Sequence, residues 1–208
     1  MSFAQQLANC RVLPVIVAHD VKSTVRLAQA LQNGGMRAVE ITLRTPAALD
    51  SLREVKSALP GMLVAAGSVT SPEGLERALD VGVDFCVSPG TTDALLRAAN
   101  EQGMPFLPGV ATASEVLLGM EHGYNQFKLF PAEAVGGMQL LNSLAGPFPN
   151  ARFCPTGGLS RDNFRDYLAL PNVVCCGGSW MASDAMVKSG SWDEIEQLAQ
   201  ESMDATSG

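Results

Sequence analysis

The chain has 208 residues, a length typical of one domain with a continuous core, and its content of 47% hydrophobic and 17% charged residues excludes a disordered chain. The formal net charge of −7, without basic runs, argues against nucleic acid or an anionic membrane as a partner. No apolar run reaches the roughly 18 residues of a membrane span, and the N-terminus lacks a signal-peptide pattern, so the sequence predicts a cytoplasmic protein.

Apolar, β-branched runs recur along the whole chain and are predicted to be strands. The eight runs begin at Val12, Arg37, Met62, Val83, Met104, Gln126, Ala151 and Asn172. Their starts lie roughly 20 to 25 residues apart, which leaves room for one helix and two short loops. Helix-like segments fill the gaps; several open with Ser or Thr beside Pro or Asp and close at Gly. Phe3–Asn9 is predicted to form a short extra helix that covers the bottom of the fold.

Strict alternation of strands and helices implies parallel strands with right-handed crossovers. Eight such units close into a (β/α)8 TIM barrel, and this chain is near the lower size limit of that fold. The sequence therefore predicts a single α/β domain over residues 1–208, since no linker or low-complexity segment divides the units. A doubly wound open sheet is the structural alternative.

Three charged residues stand inside predicted strands that should otherwise be apolar on both faces: Glu40, Arg44 and Lys128. Because side chains alternate along a strand, Glu40, Thr42 and Arg44 share one face and the apolar residues between them share the other. The apolar face must meet the helices, so the polar face points into the barrel, and the same parity sends Lys128 inward. A structural ion cluster is the alternative interpretation. The positions of Arg44 and Lys128 near strand C-termini favour an active site.

These residues suit chemistry on a 2-oxo acid. Burial and a neighbouring cation, here Arg44, favour the neutral, nucleophilic form of an amine. The planar guanidinium of Arg44 matches a carboxylate, so it is predicted to hold the substrate while Lys128 attacks the ketone. The resulting imine accepts electrons when the C3–C4 bond breaks. Glu40 is predicted to move the protons, directly or through a water.

Two glycine-rich turns follow the last two predicted strands, Thr156-Gly157-Gly158 and Gly177-Gly178-Ser179-Trp180. Barrels of this fold frequently bind phosphate with these two loops, using backbone N–H groups. A single Gly-Gly usually means a tight turn. Two of them at successive strand ends predict a phosphate site.

Cysteine and histidine spacing gives little support to a metal site. The five cysteines include no C-x-x-C pair and fall mostly in apolar runs, so they are predicted to be small core residues. His19 and His122 stand alone. The sequence predicts no metal and no cofactor.

Several motifs, in one order, closely resemble the family of 2-keto-3-deoxy-6-phosphogluconate (KDPG) aldolase and 4-hydroxy-2-oxoglutarate (KHG) aldolase. They are Glu40-Ile-Thr-Leu-Arg44-Thr45, Ala66-Gly67-Ser68, Phe85-Cys-Val-Ser-Pro89-Gly90, Phe127-Lys128-Leu-Phe130-Pro131-Ala-Glu133, Phe153-Cys-Pro-Thr156-Gly-Gly158 and Gly177-Gly-Ser179-Trp180. The similarity runs from about Arg11 to Trp192. It implies a class I aldolase of the Entner–Doudoroff pathway, a homotrimer that releases pyruvate and glyceraldehyde 3-phosphate and in many members also cleaves KHG to pyruvate and glyoxylate.

The resemblance also implies residue roles. Lys128 is the Schiff-base lysine and Glu40 the proton-transfer residue. The remaining site residues are, for the pyruvyl half, Arg44, Ser68, Pro89, Phe130 and Thr156, and for the phosphate, Gly157, Gly158, Gly178 and Ser179.

Two positions depart from the family pattern, which commonly has Thr at Ser68 and frequently Asn at Val135. Serine keeps the hydroxyl, so carboxylate binding should survive in a looser pocket, whereas Val135 has no assigned effect. The alternatives are an aldolase specific for KHG, one that prefers galactonate-type sugar phosphates, and a non-catalytic phosphate-binding barrel. The glycine turns argue against the first, and the inward Glu40 and Lys128 argue against the last.

Overall fold

Strands and helices alternate along the chain in a computed structural model that describes residues 1–206; residues 207–208 of the predicted domain lie outside the described part. The strands are β1 (Val12–Val17), β2 (Ala38–Thr42), β3 (Leu63–Gly67), β4 (Phe85–Val87), β5 (Phe106–Leu107), β6 (Gly109–Val110), β7 (Gln126–Leu129), β8 (Arg152–Pro155) and β9 (Cys176–Gly178). The helices are α1 (Phe3–Cys10), α2 (Val21–Asn33), α3 (Ala48–Ala58), α4 (Pro72–Asp80), α5 (Asp93–Glu101), α6 (Ala113–Glu121), α7 (Gly137–Ala145), α8 (Phe164–Leu168), α9 (Asp184–Ser189) and α10 (Trp192–Asp204), with a 3-10 turn η1 (Glu133–Val135) before α7.

All strand pairings are parallel, and they close into a ring. One sheet has the order β5-β4-β3-β2-β1-β9, and the other has the order β6-β7-β8. Isolated parallel bridges from Phe153 to Val173 and from Thr156 to Gly177 join β8 and the residue after it to the chain segment that contains β9. On the other side, Pro108 divides the fifth predicted strand into β5, which pairs with β4, and β6, which pairs with β7. The predicted (β/α)8 barrel is confirmed.

The predicted alternation along β2 and β7 is also confirmed. Val39 and Ile41 of β2, and Phe127 and Leu129 of β7, pack into the layer between the strands and the helices. Ala38 belongs instead to a second apolar cluster inside the barrel. That inner cluster, which we call the plug, consists of Leu7, Cys10, Leu13, Ala38, Ala65, Phe85, Val87, Leu107, Cys154 and Cys175.

Helix boundaries follow the predicted start and stop residues. Ser71 and Thr92 accept a backbone N–H from the first turn of α4 and α5, which satisfies donors that have no partner within the helix. Gly82 and Gly103, just after these helices, have φ of +76° and +63°. A side chain is disfavoured at such φ, so glycine is suited to ending the helix there.

The predicted N-terminal helix is present as α1 and closes the bottom of the barrel. Phe3 packs on Phe85 with ring centroids 5.3 Å apart, and the side chains of Leu7 and Cys10 enter the plug. All the cysteines are free and buried, which confirms their interpretation as core residues. Burial raises the pKa of Cys10 to about 11 and that of Cys86 to about 12, so both thiols stay protonated at neutral pH. Among residues 1–206, no helix is both long and apolar enough to cross a membrane.

Candidate active site

Lys128 and Glu40 form an ion pair inside the barrel, above the plug. Lys128 Nζ lies 3.0 Å from Glu40 Oε1 and 3.3 Å from Oε2. The residues are 5% and 1% exposed, so water hardly reaches either charge. β2 and β7 stand on different sides of the lumen, and their inward parity brings the two side chains together. A carboxylate in hydrogen-bond contact with an amine is placed to take up and return its proton.

A cavity of about 100 Å³ opens beside this pair. All the residues predicted for catalysis and for the pyruvyl half line it: Glu40, Arg44, Ser68, Pro89, Lys128, Phe130 and Thr156. Val15 and Thr42 complete the wall. These side chains come from the C-terminal halves of several strands and the turns that follow, as active-site residues of this fold do. The structure therefore brings these residues together around one cavity.

Arg44 follows the end of β2 and lines both the inner cavity and a larger outer cavity of about 550 Å³. Its turn is held by Thr45, whose Oγ1 donates to the carbonyl oxygen of Ala18 at 2.5 Å, and by the N–H of Leu43, which donates to Gly67 O at 2.8 Å. Within residues 1–206, no carboxylate forms an ion pair with Arg44. Its guanidinium is therefore free to bind an anionic group of a ligand.

The outer cavity is lined by all four residues predicted to bind phosphate, Gly157, Gly158, Gly178 and Ser179. Gly157 and Gly158 have φ of +99° and +85°, a conformation that side chains disfavour, so the turn needs glycine at both positions. Gly178 is the last residue of β9 and Ser179 follows it, so the Gly157-Gly158 turn, the end of β9 and Arg44 surround this space. The space is large enough for a phosphorylated three-carbon fragment.

Two glycines contribute by leaving room for a functional side chain. A Cβ at Gly67 would lie 2.6 Å from Glu40 Cγ, and one at Gly177 would lie 3.1 Å from Thr156 Cβ. Both glycines belong to motifs of the sequence, but their close approach to Glu40 and Thr156 was not predicted. Glycine inside a buried strand signals close approach of another group, and that rule could have identified them.

The two departures from the family pattern differ in position. Ser68 lines the inner cavity and has φ of +55°, just after β3. Val135 lies on η1 and packs, partly buried, against the outer apolar layer, away from both cavities.

The structure adds residues at the mouth of the outer cavity that the sequence analysis missed. Ser183 and Asp184 line it, and Asp184 Oδ1 lies 3.4 Å from His19 Nε2. His19 follows β1 and Asp184 begins α9, so no spacing in the sequence indicates that they meet. Phe130 was predicted to line the pocket; its ring centroid lies 5.3 Å from Lys128 Nζ.

The family model and the relatives of highest sequence identity indicate one family. The family model described as KDPG and KHG aldolase matches residues 3–198. The KHG/KDPG aldolase of Escherichia coli K12 is 46% identical over 193 residues, 93% of this chain and 91% of the relative. A KDPG aldolase structure from Legionella pneumophila, with pyruvate captured as a covalent carbinolamine, has a TM-score of 0.94 and 40% identity and covers 96% of this chain and 97% of its own. The KDPG aldolase of Zymomonas mobilis ZM4 with 3-phosphoglycerate has a TM-score of 0.89 and 39% identity and covers 96% and 94%.

Proposed function

The chain belongs to the KDPG and KHG aldolase family, and we propose that Lys128 is its Schiff-base nucleophile and Glu40 its proton carrier. The protein is a class I aldolase, a carbon–carbon lyase that cleaves KDPG to pyruvate and glyceraldehyde 3-phosphate. The observation that carries the residue roles is the buried contact between Lys128 Nζ and Glu40 Oε1 at 3.0 Å, beside a cavity lined by Arg44.

The sizes of the two cavities suit the two halves of the substrate. The inner cavity of about 100 Å³ accommodates a pyruvyl group next to Lys128. Arg44 and Ser68 bind its carboxylate, and Pro89, Phe130 and Thr156 enclose it. The outer cavity of about 550 Å³ takes the remaining three carbons and the phosphate, which binds at Gly157, Gly158, Gly178 and Ser179.

The reaction begins when the neutral amine of Lys128 attacks the C2 carbonyl carbon of the substrate. The carbinolamine that forms loses its hydroxyl as water and becomes a protonated imine. A base then removes the proton of the C4 hydroxyl, the C3–C4 bond breaks, and the bonding electrons move into the imine to form an enamine. Glyceraldehyde 3-phosphate leaves. Protonation of the enamine at C3 and hydrolysis of the imine release pyruvate and restore Lys128.

Each of these steps needs a proton moved near Nζ, and Glu40 is the carboxyl group in contact with it. Glu40 takes a proton when the amine is to act as a nucleophile. It assists loss of water from the carbinolamine and accepts the proton of the C4 hydroxyl, directly or through a water. Gly67 keeps Glu40 in reach, because a side chain there would displace the carboxylate.

The same site supports cleavage of KHG, since that substrate shares the pyruvyl half and needs no phosphate contacts. The preference among KDPG, KHG and galactonate-type sugar phosphates depends on the outer cavity. A parallel assay of pyruvate release from the three substrates measures it. We expect KDPG to give the highest kcat/KM; a clear preference for KHG would contradict the proposed phosphate role of the glycine turns.

We further propose that the protein is a homotrimer, is cytoplasmic and acts in the Entner–Doudoroff pathway. We also propose that residues 1–208 form one domain. Exposed apolar side chains on neighbouring helices support self-association: Leu117 and Met120 of α6 are 53% and 38% exposed and Met138 of α7 is 37% exposed. Free cysteines are usual in a reducing compartment. Sedimentation equilibrium tests the trimer; a monomer at micromolar concentration would contradict it.

Borohydride reduction in the presence of pyruvate tests the nucleophile. We expect one reduced pyruvyl group per chain, located at Lys128 by peptide mapping. Lys128→Met should give no adduct and no aldolase activity, whereas the matched control Lys22→Met, on the exposed surface, should behave like the unchanged protein. An adduct at another lysine would overturn the assignment, and no adduct at all would favour the non-catalytic barrel.

A further inference from the structure

The loop that follows the Lys128 strand is joined to the turn that follows the next strand. The N–H of Ala132 donates to Thr156 O at 2.8 Å, and the N–H of Glu133 donates to Gly157 O at 3.1 Å. These bonds extend the β7–β8 pairing beyond the strand ends. The loop carrying Glu133 therefore forms one wall beneath Gly157 and Gly158.

The side chain of Glu133 packs against the second of these glycines. A Cβ at Gly158 would lie 2.5 Å from Glu133 Cγ and 2.6 Å from its Cβ, so the glycine backbone rests directly on the stem of this side chain. Glu133 lines neither cavity. Its side chain therefore acts on a ligand of the turn through Gly158.

The carboxylate of Glu133 is held by Tyr167, whose Oη donates a hydrogen bond to Glu133 Oε1. Tyr167 lies on α8, the helix that follows the glycine turn, and is 1% exposed. Gly137 leaves the room for this bond, since a Cβ there would lie 2.5 Å from Tyr167 Oη. Burial and then the bond to Glu133 raise the pKa of Tyr167 well above its usual range, so its hydroxyl remains a donor.

We propose that the Tyr167–Glu133 pair is a positioning device for phosphate recognition, which fixes the Gly157-Gly158 turn in its binding conformation. The inference rests on the proposed function, because it takes the turn as the phosphate site. Tyr167 anchors Glu133 from the core side, and Glu133 supports Gly158 from below. Loss of the hydrogen bond frees the carboxylate stem to rotate and lets the turn relax, so the backbone N–H groups no longer point at one phosphate position.

The pair therefore acts on one half of the substrate. Lys128, Glu40 and Arg44 surround the inner cavity, which Glu133 and Tyr167 do not line. A change in the pair should alter binding of phosphorylated KDPG and leave chemistry on the pyruvyl half almost unchanged.

The test compares KDPG with KHG in Tyr167→Phe, Glu133→Ala, the double variant and Glu133→Gln. Tyr167→Phe and Glu133→Ala should each raise KM for KDPG about three- to tenfold, the effect of losing one typical hydrogen bond. We expect kcat for KDPG and kcat/KM for KHG to change by less than about twofold. The double variant should resemble either single one, since both remove the same interaction. Glu133→Gln keeps an oxygen that accepts from Tyr167 and should restore KM.

If the pair had only a structural role, the variants would lose free energy of unfolding in urea denaturation, and kcat/KM would fall for KDPG and KHG together. That result would overturn the proposal, and so would an unchanged KM for KDPG. Should Tyr167→Phe fail to fold, the exposed Glu133 variants carry the test. Trapping of pyruvate on Lys128 and KDPG turnover by the unchanged protein are measured first. Their failure would contradict the proposed function, whereas success with no effect in the variants would contradict only the positioning role.

Discussion

Towards the N-terminal ends of the strands, the barrel lumen is filled by apolar side chains such as those of Ala38 on β2 and Cys154 on β8. Two residues further along the chain, the lumen is lined by Glu40 and by Thr156, which follows β8. Two residues along a strand correspond to about 6 to 7 Å. The plug and the inner cavity, which we call the chamber, are therefore neighbours formed by successive inward-facing residues. Depth in the lumen therefore decides which side chains are tolerated.

The physical difference is access to a cavity. Side chains of the plug, including Leu7 and Cys10 of α1, contact one another, and burial of their apolar surface stabilises the fold. Glu40 and Lys128 are also buried, but they pair with each other, and a cavity lies beside them. A charge among the plug residues would have neither partner nor cavity, and its desolvation would be uncompensated. Changes in the chamber should thus affect turnover, and changes in the plug should affect stability.

Glu40→Gln should produce the largest loss of activity. The amide keeps the volume but cannot carry the proton, so kcat for KDPG should fall by about two to four orders of magnitude. Steady-state pyruvate release measures this loss. The control Glu54→Gln, on the exposed face of α3, should leave kcat unchanged. Near-normal turnover would reduce Glu40 to a structural partner of Lys128.

Gly67→Ala should cost about a hundredfold in kcat/KM, because the added methyl group displaces the Glu40 carboxylate from Lys128. The loss should be similar for KDPG and KHG, since both use the same pyruvyl chemistry. Gly61→Ala is the matched control, as its Cβ would meet only Gln32 Nε2, at 3.7 Å. Full activity of Gly67→Ala would show that the position of Glu40 is not critical.

Ser179→Asp should lower kcat/KM for KDPG by at least about tenfold and for KHG much less, because its carboxylate repels the substrate phosphate. Ser179→Ala should have the same ordering with a smaller loss. Gly178 is unsuitable for this test: a Cβ there would collide with the Trp180 ring and disturb packing. Equal losses for both substrates in a folded variant would remove Ser179 from the phosphate site.

Leu7→Ala tests the plug. Removing this buried side chain should lower the free energy of unfolding by about 2 to 5 kcal/mol, through lost burial and the cavity left in the lumen. The folded variant should keep kcat/KM within about twofold. Urea denaturation and activity at low temperature separate the two quantities. A large loss of activity in the folded protein would show that packing of the plug also determines the arrangement of the catalytic side chains in the chamber.

The smallest effect is expected from thiol alkylation. Burial raises the pKa of Cys10 to about 11 and that of Cys86 to about 12, so the reactive thiolate is scarce at pH 8 in the folded protein. Iodoacetamide should leave activity unchanged and label neither residue, while in urea all five cysteines should react. Peptide mass mapping distinguishes the outcomes. Rapid labelling of folded Cys10 would indicate that α1 opens readily.

Residue patterns predicted much of the site, since the period of a strand assigns each side chain to a face. That rule placed Glu40 and Lys128 in the lumen, and the structure confirms the placement. The Tyr167–Glu133 bond could not be predicted in this way. Glu133 on η1 and Tyr167 on α8 lie 34 residues apart, and no periodicity of the sequence indicates that their side chains meet.

By itself, the sequence determined the alternation of strands and helices and the inward faces of β2 and β7, and it predicted which residues act on a 2-oxo acid. These features depend on local periodicity and residue chemistry. Only the tertiary structure decided how the ring closes around Pro108, that Gly67 and Gly177 leave room for Glu40 and Thr156, and that Arg44 faces both cavities. Those features depend on distances between strands far apart in the chain, which are set by packing of the whole barrel.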